Sequence, residues 1–295
     1  MATLYTQQEK NIRKTWLLMF LFVVVIIAIG WAFAQTYNNP IILYGCIAFS
    51  LIMNIISYWY SDRIVLRMTG AMEATHANNR DLYHIVENLC IAGGLKMPKI
   101  YIVEDNALNA FATGRNEENA VIAVTRGLID KLDKLELEGV IAHELSHIGN
   151  RDILLTTIIV VLVGFIAVLS EMFLRDRFFW GGDSSDRKGA GGAAVIIGIV
   201  LAILAPIATK IIQLAISRKR EYLADASGAL LTRYPEGLAS ALEKISKSPV
   251  PLRQASKAAS HLFISNPLNK QNRTKLFSTH PPIEERIKAL RGIKF

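Results

Sequence analysis

Cysteine is scarce: in a chain of 295 residues only Cys46 and Cys90 occur, far apart, the first inside an apolar run. That spacing excludes a disulfide framework and a cysteine-based metal site, and it is compatible with a reducing compartment. Charge is missing altogether from Thr15 to Ser61, where there is no Asp, Glu, Lys or Arg. An ordinary soluble fold does not account for so long an uncharged stretch. Also missing is a small-residue cleavage site after the first apolar run, and a second run follows at once. The pair therefore reads as a retained hairpin and not as a signal peptide. No winged or helix-turn-helix pattern stands out. The net charge of +8 does not argue for nucleic acid, because the basic residues cluster beside apolar segments, where the positive-inside rule puts them.

What is there is apolar: 52% of the residues are hydrophobic, a composition for a membrane protein with a modest aqueous part. Pro40 and the polar Gln35–Asn39 divide the uncharged stretch into helices expected at 16–33 and 41–60, each near the ~20 residues that cross a bilayer. Trp16, Trp31, Tyr44, Trp59 and Tyr60 sit near their ends, as an aromatic belt would. Lys10, Arg13 and Lys14 precede the hairpin, and Arg63 and Arg67 follow it. Both basic flanks lie on one side, which predicts that residues 1–14 and the segment 61–152 are cytoplasmic. A second charge-free run begins at Ile153 and a fourth apolar segment spans Ala193–Ile216, interrupted by Pro206 and Lys210. Membrane helices are expected at 153–172 and 193–216. The basic Arg218-Lys-Arg220 then returns the chain to the cytoplasm for residues 217–295.

Between the hairpins the period changes. Residues 62–95 read as helix with a break near Gly70, carrying His76 and His84 as solvated or interfacial side chains. Leu82, Ile85, Val86 and Leu89 have helical spacing, and Gly93-Gly94 ends that run. Ile100–Val103 is a strand signal. Asn109–Thr113 and Ala120–Val124 flank a turn-rich stretch and read as a β-hairpin. The fold class predicted is a mainly helical α+β catalytic domain combined with about four transmembrane helices. An edge strand formed by Asn109, Ala110, Phe111, Ala112 and Thr113 could take an extended peptide by strand addition.

The chemistry concentrates in Val140-Ile-Ala-His-Glu-Leu-Ser-His-Ile-Gly-Asn-Arg-Asp152. Asp133 and Glu136 are spaced as a capping box, and Leu137, Val140, Ile141, Leu145 and Ile148 continue a helical pattern. On a helix, His143 and His147 share a face and can present imidazole nitrogens to one ion. Glu144 is one step round, within reach of a water at that ion. This is the zinc-peptidase arrangement of two neutral imidazoles and a carboxylate base. A third ligand is needed. Glu221 and Asp225 lie at i and i+4 on an expected helix; one carboxylate would bind the ion and the other would orient a histidine. An oxyanion donor besides the metal is also needed, and His280 and Arg286 are candidates. His261 has no comparable context and reads as structural.

Four motifs in order, His-Glu-Leu-Ser-His147, Glu-Tyr-Leu-Ala-Asp225, Asn-Ala-Phe-Ala-Thr-Gly114 and Thr-His-Pro-Pro282, resemble the HtpX-type membrane zinc metalloproteases, relatives of the CAAX prenyl proteases. The resemblance runs through essentially the whole chain. It implies His143, His147 and Glu221 as ligands of one Zn2+ per chain, Glu144 as the catalytic base, and a place near the site for His280 and Arg286. It further implies a gluzincin-like core facing the cytosol of a bacterial-type, multi-pass plasma-membrane protein. The role implied is stress-response quality control, with misfolded membrane proteins as substrates. A prenyl-protein processing enzyme is the nearest rival, but four apolar segments are few for a large enclosed chamber. A catalytically inert scaffold is another, against which stands the retention of Glu144 together with all the ligands.

Overall fold

The computed structural model describes residues 4–36, 38–164, 218–248, 250, 262–264 and 281–294. Helices α1 (Leu4–Thr36) and α2 (Ile41–Thr69) form an antiparallel pair. Among the described residues they are the two helices long and apolar enough to cross a membrane singly. Their contact is close at Gly30, where a Cβ would fall 2.5 Å from that of Cys46. Trp16 stacks on Tyr58 with ring centroids 5.9 Å apart. Leu17, Phe20, Trp31, Leu51, Ile55 and Trp59 stand exposed, an apolar surface suited to lipid and unsuited to water. Helix α2 runs unbroken from the expected crossing to Thr69, and Gly70, where the break was expected, adopts φ 65° and closes it.

A small mixed sheet follows, made of β1 (Met72–Glu73), β2 (Lys99–Val103), β3 (Ala110–Thr113) and β4 (Val121–Thr125) in the order β1-β2-β4-β3. Strands β2 and β4 are parallel, with Ile100 opposite Ile122; the other two pairings are antiparallel. The expected hairpin of β3 and β4 forms, with Phe111 opposite Ala123. Strand β1 lies where continued helix was expected. Two residues carry no periodicity, so only their pairing with Tyr101 and Ile102 defines them. Helix α3 (Arg80–Gly93) buries Leu82, Ile85, Val86 and Leu89 against this sheet, the face that its spacing predicts.

The short α4 (Arg126–Lys131) leads to α5 (Lys134–Gly149), whose capping box is complete. The Asp133 carboxylate accepts from Glu136 N at 3.0 Å, and the Glu136 carboxylate accepts from Asp133 N at 2.9 Å. Glu136 also accepts from Ser240 and Lys244, which pins α8 (Pro235–Lys247) against the start of α5. Gly139 permits that packing, since a Cβ there would lie 2.5 Å from Leu238 N. Helices α7 (Arg218–Thr232) and α9 (Ile283–Arg291) complete the bundle around α5.

After α5 the chain bends by 88° into α6 (Ile153–Gly164), through Arg151 at φ 54°. Leu155, Ile158 and Leu162 are fully buried. Ile158 and Leu162 pack on Met19, Phe22 and Ile26 of α1, and Thr157 Oγ1 lies 3.0 Å from Thr113 Oγ1 of β3. This stretch begins the third expected crossing; over its described length most of its side chains are buried. The remainder of the third expected helix and all of the fourth, 193–216, lie outside the described residues, as do His261 and His280.

Candidate metal centre

Helix α5 places His143 and His147 one turn apart with their Nε2 atoms 3.2 Å from each other. The rings stand edge to face at 90°. Their third neighbour arrives on α7, well further along the sequence. Glu221, Asp225 and Gly228 share one face of that helix, and Gly228 lets it approach: a Cβ there would sit 3.0 Å from His143 N and 3.2 Å from Ala142 C. The approach brings Glu221 Oε1 to 3.7 Å from His147 Nε2 and Glu221 Oε2 to 3.9 Å from His143 Nε2. One donor atom from each of His143, His147 and Glu221 lies within 4.8 Å of the others.

This donor set fits a divalent cation. Two nitrogens bound at 2.0–2.1 Å with a tetrahedral angle between them stand roughly 3.3 Å apart, close to the 3.2 Å found. Three protein donors leave a fourth position open, as a catalytic site requires. The surroundings also favour positive charge. Burial alone would lower the His147 pKa, but the hydrogen bond that its ring donates to Asp152 and the charges of Glu221, Asp152 and Glu144 raise it to about 9. Glu144 is almost wholly buried beside the histidines. Desolvation pushes its carboxyl above the usual range, with His143 and His147 pulling the other way.

Each histidine is held from behind by a carboxylate. His143 Nδ1 lies 2.9 Å from Asp225 Oδ1, and His147 Nδ1 lies 3.2 Å from Asp152 Oδ2. Such partners fix the ring so that Nε2 faces the ion. Asp225 is held in turn by Arg286 of α9, whose Nε donates to Oδ2 at 2.9 Å and whose Nη2 donates to Oδ1 at 2.7 Å. Burial alone would raise the Asp225 carboxyl, but Arg286 and His143 hold it well below the usual carboxylate range. Arg286 Nη1 donates to the Ile264 carbonyl at 3.2 Å and stands 3.7 Å from Glu221 Oε2.

The structure thus brings His143, Glu144, His147, Glu221, Asp225 and Arg286 together; His280 lies outside the described residues. Sequence reasoning passed over Asp152 and Arg220. The basic run at 218–220 reads as a flank that returns the chain to the cytoplasm, yet Arg220 Nε lies 3.8 Å from Asp152 Oδ1 and its side chain is only 11% exposed. A carboxylate five residues beyond a ligand histidine, just past the helix end, was the available signal for Asp152.

Strand β3 lies beside the centre, at the sheet edge. Thr125 N donates to the Asn109 carbonyl at 3.0 Å, so by antiparallel alternation Ala110 and Ala112 direct their backbone groups away from β4. On that outer side Ile264 N donates to the Ala110 carbonyl at 3.1 Å, and Phe263 packs edge to face on Phe111. The chain itself therefore covers the start of the edge.

The close approach at Gly228 gives a direct test of the geometry. Gly228→Val forces α7 off α5, an overpacking that costs about 1–3 kcal/mol. Metal content is expected to fall as Glu221 withdraws, which elemental analysis of the purified protein would read. Full metal content in that variant would mean that the contact does not set the third donor.

Comparison with known proteins places this geometry. The model of peptidase family M48 matches residues 76–294. The protease HtpX homolog of Thermoanaerobacter pseudethanolicus is 46% identical over 297 residues, covering 99% of this chain and 98% of that one. The homolog of Dictyoglomus turgidum is 44% identical over 98% of this chain and 94% of its own, and that of Tropheryma whipplei strain Twist is 42% identical over 98% of both. Among solved structures, S. mikatae Ste24p aligns with a TM-score of 0.50 at 18% identity, over 97% of this chain and 67% of that one, a likeness of fold alone. With two membrane-length helices joined to a histidine–histidine–glutamate cluster, and with relatives matched end to end, the chain belongs to peptidase family M48 and is a membrane metalloprotease.

Proposed function

We propose that the chain is a zinc-dependent endopeptidase with a gluzincin-type core, cutting misfolded or damaged membrane proteins at the cytoplasmic face. The observation that carries this reading is the convergence of two Nε2 atoms and one carboxylate beside the buried Glu144. A mixed nitrogen and oxygen donor set with one open position suits zinc. When bound, zinc supplies Lewis acidity toward the scissile carbonyl and makes a nearby water acidic. Glu144 takes the proton from the attacking water and passes it to the leaving amine. Asp225 and Asp152 keep the two imidazoles aligned, and Arg286 keeps Asp225 ionised and in place. His280, which the resemblance puts near the site, is the candidate donor to the developing oxyanion.

Substrate lies along the outer edge of β3, where Ala112 directs its backbone N–H and C=O. Main-chain pairing reads any extended sequence, which suits a quality-control enzyme. Ala112→Pro leaves the ladder to β4 intact, because the N–H it removes faces outward. Cleavage is expected to fall about tenfold, for one lost hydrogen bond of ~1 kcal/mol and the obstruction by the ring, with metal content unchanged. Loss of metal together with cleavage would instead give the strand a structural role.

The catalytic part is built from two stretches, 61–152 and 217–295, and we read the apolar 153–216 between them as a second membrane hairpin. Lys10, Arg13, Lys14, Arg63 and Arg67 lie at one end of the α1–α2 pair and Asn38–Asn39 at the other. The positive-inside rule puts the basic end, and the metal centre with it, in the cytoplasm. A cysteine introduced at Asn39 should react with an impermeant reagent from outside, and one at Glu118 only after the membrane is breached. The reverse pattern would overturn this topology. For the function as a whole, the test is one equivalent of zinc per chain by elemental analysis, with chelator-sensitive cleavage of an unfolded protein. Comparing membrane proteomes of cells with wild type and Glu144→Gln would identify the substrates; identical proteomes would remove the quality-control role.

A further inference from the structure

The first apolar helix reaches the support of the metal centre through one side chain. Asn11 lies in the polar N-terminal stretch before the first apolar run, yet it is 3% exposed. Its Nδ2 donates to Asp152 Oδ1 across 141 positions of sequence, and its Oδ1 accepts from Arg220 Nη1 at 3.5 Å. Asp152 divides its oxygens: Oδ1 faces Asn11 and Arg220, and Oδ2 faces His147 Nδ1 at 3.2 Å. A carboxylate is planar, so fixing Oδ1 fixes the direction of Oδ2. The rotation of Asp152, and with it the tilt of the His147 ring, is thereby set by a side chain on α1.

We propose that Asn11 is a positioning residue for the metal centre, acting through Asp152 on His147, so that the centre is complete only when the first membrane helix has docked. This rests on the reading of His147 as a metal ligand. The amide suits the role. It donates to a carboxylate and accepts from a guanidinium at once, which neither an aliphatic nor an acidic side chain does. An aspartate at position 11 would set a second carboxylate against Asp152, and a leucine would leave Oδ1 to Arg220 alone. The consequence is an order of assembly. Docking of α1 supplies Asn11, and only then is the histidine held for the metal, so a chain whose N-terminal helix is not yet in place holds its metal weakly.

The test uses the full chain in detergent, loaded with Co2+, and compares wild type with Asn11→Leu and Asn11→Asp. The readouts are the visible d–d spectrum of bound cobalt, which reports ligand geometry, and the rate of metal loss to a chelator. Loss of such a supporting contact weakens metal holding by about 10–100-fold, so both variants should lose cobalt faster by a similar factor and show an altered spectrum. Combined with Asp152→Asn, Asn11→Leu should add little, since both break one relay. Should Asn11→Leu fail to fold, Asn11→Ala, smaller and unable to donate or accept, carries the same comparison. A variant with the wild-type spectrum and loss rate, or one whose effect simply adds to that of Asp152→Asn, would make Asn11 an anchor of α1 and overturn the proposal. Wild-type protein that takes up no cobalt would overturn the ligand reading itself, a distinct result.

Discussion

Glu144→Gln is expected to keep the full metal content of the wild type and to lose peptide cleavage by about 10²–10⁴-fold, the range a positioned general base contributes. The substitution removes a proton acceptor and leaves His143, His147 and Glu221 untouched. Shape and helix propensity are nearly conserved, so α5 should remain capped and packed as before. Stability should not suffer. The Glu144 carboxyl is desolvated and pushed above its ordinary range, and a neutral amide removes the cost of keeping charge there. Single-turnover kinetics on an unfolded protein, with metal analysis of the same sample, decide the matter. Wild-type turnover in the variant would remove Glu144 from the chemistry. Loss of metal would make it a ligand or a structural prop.

What could be read in the sequence was local. The capping box at Asp133 and Glu136, the histidines one turn apart and the alternation around Gly114 each lie within a few residues, where helix and hairpin geometry leave little freedom. The pairing of Glu221 with Asp225 was legible for the same reason, although its place beside α5 depends on Gly228. The rest is long-range. Asp152, Arg220 and Asn11 come from three distant parts of the chain and meet only because α1, α6 and α7 pack together. No periodicity marks such a meeting, and composition shows Arg220 and Asn11 only as part of the polar and basic flanks of apolar segments. Over α6 the sequence does not say what covers the side chains. A charge-free run looks alike whether lipid or protein covers it, and here Leu155 and Ile158 are enclosed by protein.

Arg286→Ala should damage both stability and metal holding. The side chain is fully buried and spends its fork on one carboxylate, Nε on Asp225 Oδ2 and Nη2 on Oδ1. Removing it leaves a buried, uncompensated charge, a change that costs about 3–5 kcal/mol. For a chain of this size the apparent melting temperature should fall by about 10 °C. The metal effect follows from the same bond, since Asp225 is what faces His143 Nδ1 at 2.9 Å. Arg286→Lys should recover only part of either loss, because one ammonium cannot replace two parallel donors and also reach the Ile264 carbonyl. The two effects separate in a double variant. Arg286→Met with Asp225→Asn removes both buried charges together, and such replacements are often neutral for stability. Its melting temperature should return toward that of the wild type while its metal is still lost faster, because an amide holds His143 less firmly than a carboxylate does. Thermal melts and chelator-competition rates on the three variants would show this. An Arg286→Ala protein that melts with the wild type would mean that the buried pair contributes nothing to the fold. A double variant that holds metal as the wild type does would mean that the Asp225 charge plays no part in orienting the histidine.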